Sequence, residues 1–323
     1  MTGRCKDHWI VDFGVDTPVD AASLFEAPFE HLLAEVKAER LANNDRGRRE
    51  NWWRFGRNGA DMRRGVEGLA RFAVTVRVAK HRAFSWLNAP VSPDSRLLVI
   101  ARADDTTFGI LSSRMHEVWS LAQASMHGVG NDPTYNAKSC FETFPFPEGL
   151  TPADTAHQRG ETLPSGAVIP LLDTVSASNQ VVAPVERAQA AIKNEAKVSK
   201  RADAEAIANA AKTLNDRRQA WLNPPEWTHN VPEVIPLGMT TSPYPDRIEP
   251  KPGISAADLK ALQARTLTNL YNARPAWLTL AHQTLDKAVA HAYGWTDYTE
   301  AMTDDDVLGR LLKLNLERHA AQA

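Results

Sequence analysis

Phe144-Pro145-Phe146-Pro147-Glu148-Gly149 is the stretch that decides how this 323-residue chain is organised. Proline lacks a backbone N–H and clashes inside a helix, and two prolines at alternate positions cannot belong to a central strand. We therefore place a domain boundary at about residue 150. Strand and helix patterns mix before it without regular βαβ alternation, and helical patterns dominate after about residue 200. The predicted fold class is α+β.

The half before the boundary carries short strand patterns. Residues 73–78 alternate, with Val74, Val76 and Val78 on one face, as in a half-buried strand. Further predicted elements are strands over 96–101 and 108–111 and helices over 20–41 and 113–126. Trp9–Gly14 also predicts a strand, which belongs either to the end of a preceding domain or to the start of this one.

The half after the boundary begins with a segment of thin periodicity, residues 151–200, which we predict to be a linker with a turn at 163–166. Residues 201–323 are predicted to form a helical domain. The helix boundaries in it are marked by Pro224-Pro225 as a stop, Ser255 as a cap, Pro275 as a start, Gly294 as an end and Thr303–Asp306 as a cap.

Composition excludes several classes of protein. The two cysteines, Cys5 and Cys140, are too few for a disulfide scaffold or a cysteine zinc cluster. Residues 1–6 have no apolar core of a signal peptide, and no apolar run approaches the length of a membrane span. The expectation is a cytoplasmic protein without a membrane partner. No metal site is predicted, because the ten histidines show no metal-ligand spacing.

Charge is distributed unevenly along the chain. Thirteen Lys/Arg stand against five Asp/Glu between Lys37 and Arg82, a local balance of +8 in a chain of net charge −2. Arginines interleaved with Trp52, Trp53 and Phe55 suit phosphate contacts and stacking on bases. A solvated face around a buried tryptophan pair explains the same pattern. The candidate DNA-binding residues are Arg46, Arg48, Arg49, Arg54, Arg77, Lys80, His81 and Arg82.

Two motifs imitate catalytic sites. Asn223-Pro224-Pro225-Glu226 is similar to the Asn-Pro-Pro-aromatic motif of DNA methyltransferases, but Glu226 stands where the aromatic ring should be. The segment before it is helical rather than a buried strand, so we interpret it as a helix stop. Asp20 with Glu35-Val36-Lys37 imitates a nuclease metal site, which needs adjoining strands that this helical pattern does not provide. No catalytic residue is therefore assigned.

Six strings of residues, in order along nearly the whole chain, resemble MmeI-like DNA methyltransferases of type IIG. They are WIVDFG (9–14), RVAKHR (77–82), FGILSSRMHEVWS (108–120), CFETFPFPEGLTP (140–152), WLNPPEW (221–227) and TLTNLYNARP (266–275). Members of this family are large restriction-modification enzymes, with an S-adenosylmethionine-dependent adenine-N6 methyltransferase domain followed by a target-recognition domain and a helical region.

The resemblance covers only the last two parts of such an enzyme. It implies that residues 1–14 are the end of a methyltransferase domain, 15–150 the DNA target-recognition domain, 151–200 a linker and 201–323 the C-terminal helical domain. The cofactor and catalytic motifs lie upstream in the family, so no cofactor is expected in this chain. The implied partners are double-stranded DNA and a separate methyltransferase domain or subunit. The alternatives are a methyltransferase in its own right and a truncated, non-functional remnant.

Overall fold

A computed structural model of the chain describes residues 2, 4, 9–57, 59–127, 132–172, 184–235 and 239–322, without the side chains of 184–197 and 322. The chain divides into two compact units. One comprises Met1–Arg4 and Leu69–Ala323, and the other comprises Cys5–Gly68. The units are called here the large unit and the small unit.

The small unit is helical in its described part. Its helices are α1 (Val19–Ser23), α2 (Glu26–Glu35), α3 (Lys37–Leu41), α4 (Arg46–Glu50) and α5 (Ala60–Val66). The single helix predicted over 20–41 is thus three helices. Pro28 explains the first break, because a proline cannot donate to the carbonyl four residues earlier and would clash with it in a continuous helix. Pro28 is instead tolerated in the first turn of α2.

Residues 9–14 were predicted as a strand, and that prediction is wrong. The segment is irregular up to the turn at Gly14. Val11 and Phe13 pack against the core of the small unit, with the Phe13 ring 5.8 Å from that of Phe25 and 6.4 Å from that of Phe29, whereas Trp9 and Ile10 are exposed. No described segment of the small unit offers it a strand partner, so its backbone forms no ladder.

The large unit begins with a three-stranded antiparallel sheet in the order β2-β1-β3. Its strands are β1 (Arg71–Val76), β2 (Phe84–Asn88) and β3 (Leu97–Ile100). The predicted strands over 73–78 and 96–101 are confirmed, and β2 was not foreseen. β1 is central and is buried on both faces from Phe72 to Thr75, so its alternation is not that of a half-exposed strand.

Helices α6 (Asp105–Ser112) and α7 (Arg114–Ala122) follow the sheet. The strand predicted over 108–111 is therefore wrong. A run of four apolar residues has no periodicity that separates a strand from a buried helix. The deciding residue is Asp104, whose carboxylate accepts the Thr107 N–H at 2.6 Å and caps α6.

The predicted boundary at 144–149 does not separate two cores in the structure. Phe144, Phe146 and Leu150 lie in one hydrophobic cluster with Ile207 of the C-terminal half. The predicted linker also contributes, because its hairpin of β6 (Gly160–Thr162) and β7 (Val168–Pro170) buries Ile169 in the same cluster. The turn predicted at 163–166 is confirmed by the Gly166 N–H donating to Leu163 O at 2.8 Å. Residues 173–183 of that segment lie outside the described residues.

The rest of the large unit is mainly helical, as predicted. After the short hairpin of β4 (Ser125–His127) and β5 (Asp132–Thr134) and a π-helical turn at Ala137–Phe141, its elements are α8 (Pro184–Leu222), β8 (Thr228–Val231), β9 (Arg247–Pro250), α9 (Ala256–Ala264), α10 (Leu267–Ala273), α11 (Ala276–Ala292) and α12 (Asp304–Gln322). The mixed class with a helical C-terminal region is confirmed. The hairpin of β8 and β9 was missed.

Local capping chemistry places the later helices where the sequence predicts them. α8 ends directly before Asn223-Pro224-Pro225. Ser255 Oγ accepts the Asp258 N–H at 3.0 Å, and Thr303 Oγ1 accepts the Asp306 N–H at 3.1 Å. No helix among the described residues is both long and apolar enough to cross a membrane.

Candidate nucleic-acid interface

The end of the central strand β1 presents the first candidate residue of the large unit, Arg77. Its backbone is fixed on both sides, because its N–H donates to Arg96 O at 2.8 Å and its carbonyl accepts the Tyr135 N–H at 2.7 Å. Its side chain is exposed and makes no hydrogen bond or ion pair with any described residue. A rigid backbone and a free guanidinium suit contact with an external anion.

Lys80 and His81 follow in the same loop and meet at one oxygen. Lys80 Nζ donates to Asn272 Oδ1 at 2.8 Å, and His81 Nε2 lies 2.9 Å from that oxygen. The His81 ring packs against Tyr271 of α10, with 5.9 Å between centroids. The structure therefore brings these two candidates together with a helix that sequence analysis had left out of the interface.

Arg82, the fourth candidate in this loop, is buried. Its Nη1 donates to Thr75 Oγ1 at 3.0 Å and to Val76 O at 2.6 Å, and its Nη2 donates to Pro133 O at 3.2 Å. The guanidinium also stands 4.8 Å from the centroid of the Tyr135 ring. Burial lowers the pKa of Arg82 from its ordinary value. This geometry joins the strand end to β5 and does not support a direct DNA contact by Arg82.

The other four candidates belong to the small unit, and each is engaged within it. Arg46 Nε forms an exposed ion pair with Glu50, and Arg48 packs against Gly56. Arg49 donates to the carbonyls of Asn43 and Asn44 at 2.7 and 2.9 Å, and Arg54 donates to Val15 O and Asn51 Oδ1. Arg49 and Arg54 thus bind backbone carbonyls of the small unit, whereas Arg46 makes only a surface ion pair. A DNA contact by any of the four stays a prediction.

The two tryptophans of the basic segment belong to the core of the small unit, whereas Phe55 is exposed. Trp52 and Trp53 are only 8% and 9% exposed and pack edge to face at 6.0 Å. Lys37 Nζ stands 4.9 Å over the Trp52 ring, and Arg54 lies 5.1 Å from the Trp53 ring. The buried tryptophan pair that the sequence left as an alternative is what the structure contains. Neither ring offers a face for base stacking.

The polar groups of the Asn223-Pro224-Pro225 motif are hydrogen-bonded to other residues of the chain. The Asn223 side-chain amide donates to Thr2 O at 2.8 Å, and its Oδ1 accepts from Arg4 Nη1 at 3.1 Å. The Pro224 carbonyl accepts the Thr228 N–H and hydroxyl, both at 2.9 Å. The groups that would hold a target adenine in a methyltransferase are therefore bonded to Thr2, Arg4 and Thr228, and α8 ends at Leu222, directly before the motif, which fits the interpretation as a helix stop.

The nuclease-like residues are not brought onto strands. Asp20 lies in α1, Glu35 ends α2 and Lys37 begins α3. Among the residues that the structure describes, no three His, Cys, Asp or Glu side chains lie close enough to hold a metal ion. Cys140 is buried in the core of the large unit, and Cys5 lies outside the described residues.

Sequence analysis missed two residues of α10 and its end, Asn272 and Arg274. Both are exposed, and Arg274 adopts a left-handed conformation, with φ 39° and ψ 61°. The carboxyl of Glu117 in α7 is an electrostatic neighbour of Arg274. Its pKa is raised by burial, against the lowering effects of Arg274, His81 and Arg82. Only contacts between distant parts of the chain could have identified these residues.

A comparison with solved structures finds a chain of the type IIL restriction-modification enzyme MmeI in complex with DNA. The two share 16% sequence identity with a TM-score of 0.48, and the match covers 88% of this chain and 25% of that chain. The present chain thus spans about a quarter of the length of that enzyme. At this level of similarity the match carries no functional argument. No family model matches the chain, and no curated protein matches it.

Proposed function

We propose that this protein recognises duplex DNA as the target-recognition part of an adenine-N6 DNA methyltransferase of the restriction-modification type. In this proposal it acts together with a methyltransferase domain. The observation that carries the proposal is the pair of exposed cations, Arg77 and Lys80, at the end of the central strand. Neither is paired with a carboxylate among the described residues. The ordered sequence resemblance to MmeI-like enzymes gives the proposal its reaction class.

The test of DNA binding is a comparison of salt dependence. We expect the chain to bind duplex DNA weakly, on the order of 10⁻⁴ to 10⁻⁶ M at physiological salt, as electrostatic contacts do. Replacing Arg77 and Lys80 together by alanine should flatten the log–log slope of affinity against salt by about 1.8, since each phosphate neutralised contributes roughly 0.9. Fluorescence anisotropy of a labelled duplex across a salt series measures both quantities.

A matched control removes the same charge elsewhere. Lys260 of α9 and Lys313 of α12 are exposed, and their double alanine variant also loses two positive charges. Its slope and affinity should stay close to those of the unsubstituted chain. Equal slopes in the folded Arg77/Lys80 variant and in the unsubstituted chain would show that these residues serve the strand edge and that the proposed DNA surface is misplaced.

A second expectation separates recognition from catalysis. The chain alone should not bind S-adenosylmethionine, because the sequence carries no glycine loop between a strand and a helix and the Asn223 side chain is already hydrogen-bonded to Thr2. Isothermal titration calorimetry with the cofactor measures this directly. A micromolar affinity, or transfer of a labelled methyl group to DNA, would favour the alternative of a methyltransferase in its own right.

A further inference from the structure

We propose that Asn272 is a positioning residue for DNA binding: it holds the Lys80 ammonium in place, so that the outward N–H groups of Lys80 and of the Asn272 amide, together with Arg274, clamp a backbone phosphate of duplex DNA. The inference rests on the proposed function and deepens it. It extends the DNA surface from the strand end of β1 to α10, which lies 192 residues later in the chain than Lys80.

The orientation of the Asn272 side chain follows from its partners. An ammonium group is a donor only, so the Asn272 atom that lies 2.8 Å from Lys80 Nζ must be the carbonyl oxygen. The same oxygen faces His81 Nε2 at 2.9 Å, and therefore His81 must carry its proton on Nε2. The amide NH₂ of Asn272 is left on the exposed side and makes no hydrogen bond with any described residue.

The surface that results is complementary to phosphate and not to a base edge. Bidentate recognition of adenine by asparagine needs the amide oxygen as an acceptor, and here Lys80 and His81 occupy that oxygen. What remains outward is the Asn272 amide and the two other N–H groups of Lys80, all donors. A phosphate offers only acceptors. Because Asn272 is neutral, it fixes Lys80 without cancelling its charge, unlike the carboxylate partner of Arg46.

α10 is itself held firmly, so it can serve as a support. The residue before Asn272 is Tyr271, whose hydroxyl lies 2.9 Å from His282 Nε2 of α11 and accepts from Arg218 Nη1 at 3.2 Å. Burial lowers the pKa of His282 to about 3, so the ring is neutral and its Nε2 can accept a hydrogen bond from the Tyr271 hydroxyl. The fully buried Arg218 also donates to Phe84 O of β2 at 2.7 Å, which ties α10 to the sheet.

Arg274 adds a cation beside this support. It stands two residues after Asn272 and shares the neighbourhood of Glu117 with His81. Its left-handed backbone is costly for a residue with a Cβ, and glycine would adopt it freely. Arginine at a helix end where glycine would be less strained indicates that the Arg274 side chain has a functional role.

The experiment uses the full chain and duplex-DNA anisotropy across a salt series for three variants. Asn272→Asp keeps an acceptor for Lys80 and His81 but adds a negative charge, so the salt slope should flatten by roughly 0.9. Asn272→Ala keeps every charge and loses the positioning. Its slope should be unchanged while affinity falls about two- to tenfold, the cost of ordering a side chain on binding. Arg274→Gly should flatten the slope by roughly 0.9 and leave the melting temperature unchanged or higher.

The control for added charge is Asn88→Asp. Asn88 is exposed on β2 and pairs with Arg71 at the far end of β1, about 20 Å along the strand from Arg77. This variant should bind as the unsubstituted chain does. If the Asn272→Asp and Arg274→Gly variants fold and show unchanged slope and affinity, the inference is overturned. The contact of Asn272 with Lys80 and His81 would then serve only to tie the loop to α10. If the Arg77/Lys80 variant is weakened in the same series, the proposed function survives that result. If the unsubstituted chain does not bind duplex DNA, both fail.

Discussion

Replacing Gly109 by alanine should destabilise the large unit by about 1–3 kcal/mol, the usual cost of forcing extra atoms into a packed core. Gly109 lies in α6 where it crosses α8. A Cβ there would stand 2.6 Å from Ile207 Cγ2, 2.9 Å from Ala211 Cβ and 3.2 Å from Leu285 Cδ1. Ala211 cannot move its Cβ without moving the backbone of α8, so the helices must separate. Thermal unfolding followed by circular dichroism measures the loss as a lower melting temperature.

The same substitution at Gly309 is the matched control. Gly309 lies in α12, and a Cβ there would meet nothing within 4 Å. Alanine should therefore raise the helix propensity of α12 and stabilise it by roughly 0.5–1 kcal/mol. Opposite signs for the two variants are the expected result. A Gly109→Ala protein as stable as the unsubstituted chain would mean that α6 and α8 do not cross at this residue.

Replacing Asp286 by asparagine should stabilise the large unit at neutral and alkaline pH. Asp286 of α11 is buried, and its Oδ1 accepts the Arg114 N–H at 2.8 Å, at the first residue of α7. Burial raises the pKa of its carboxyl to about 7; the backbone hydrogen bond from Arg114 opposes that shift, and the neighbouring Glu117 adds to it. Asparagine keeps the acceptor oxygen for the Arg114 N–H and removes the buried charge.

The pH window follows from the direction of the shift. The folded carboxyl binds its proton more tightly than the unfolded one, whose pKa is near 3.8. The contribution of this carboxyl to the free energy of unfolding is therefore fully present below about pH 4. It is lost as the pH rises to about 7, and the loss is on the order of 4 kcal/mol. The other groups facing Asp286 are Arg114, Arg274 and Tyr298. Glu117, whose pKa burial also raises, should leave a smaller slope of the same sign in the variant.

Urea unfolding of Asp286→Asn at a series of pH values between 4 and 8 tests this expectation. The variant should gain most above pH 7 and little near pH 4. Asp305→Asn is the control, because Asp305 is exposed in the first turn of α12 and loses the same charge on substitution. A parallel pH dependence in the Asp286 variant and the unsubstituted chain would show that the Asp286 carboxyl is ionised in the folded state at little cost.

Local chemistry explains which elements the sequence could predict. The helix stop at Pro224-Pro225 and the caps at Ser255 and Thr303 depend on a few neighbouring residues, and they stand where the sequence places them. β1 follows from its β-branched run. The error at 108–111 arose because a short apolar run suits a strand and a buried helix equally, and tertiary burial decides between them.

Non-local contacts explain what the sequence could not give for the site. Lys80 and Arg77 were foreseen from charge, but the acceptor that fixes Lys80 comes from α10. Arg82 was chosen by the same charge criterion, and it lies buried because Pro133 and Tyr135 close over it. A segment rich in arginine and tryptophan suits both a surface that stacks on bases and a packed core, and its composition does not distinguish the two. In the small unit, Trp52 and Trp53 belong to the core.

The contact between Lys80 and Asn272 has a consequence for exchanging the loop after β1 between this chain and another of the same fold. A graft that transplants only residues 69–150 would carry Lys80 and His81 into a chimera and leave Asn272 behind. It would also cut through the shared cluster that joins Phe146 to Ile207. The minimal cassette for such an exchange is therefore the whole large unit from Leu69, or a graft in which α10 travels with the loop after β1.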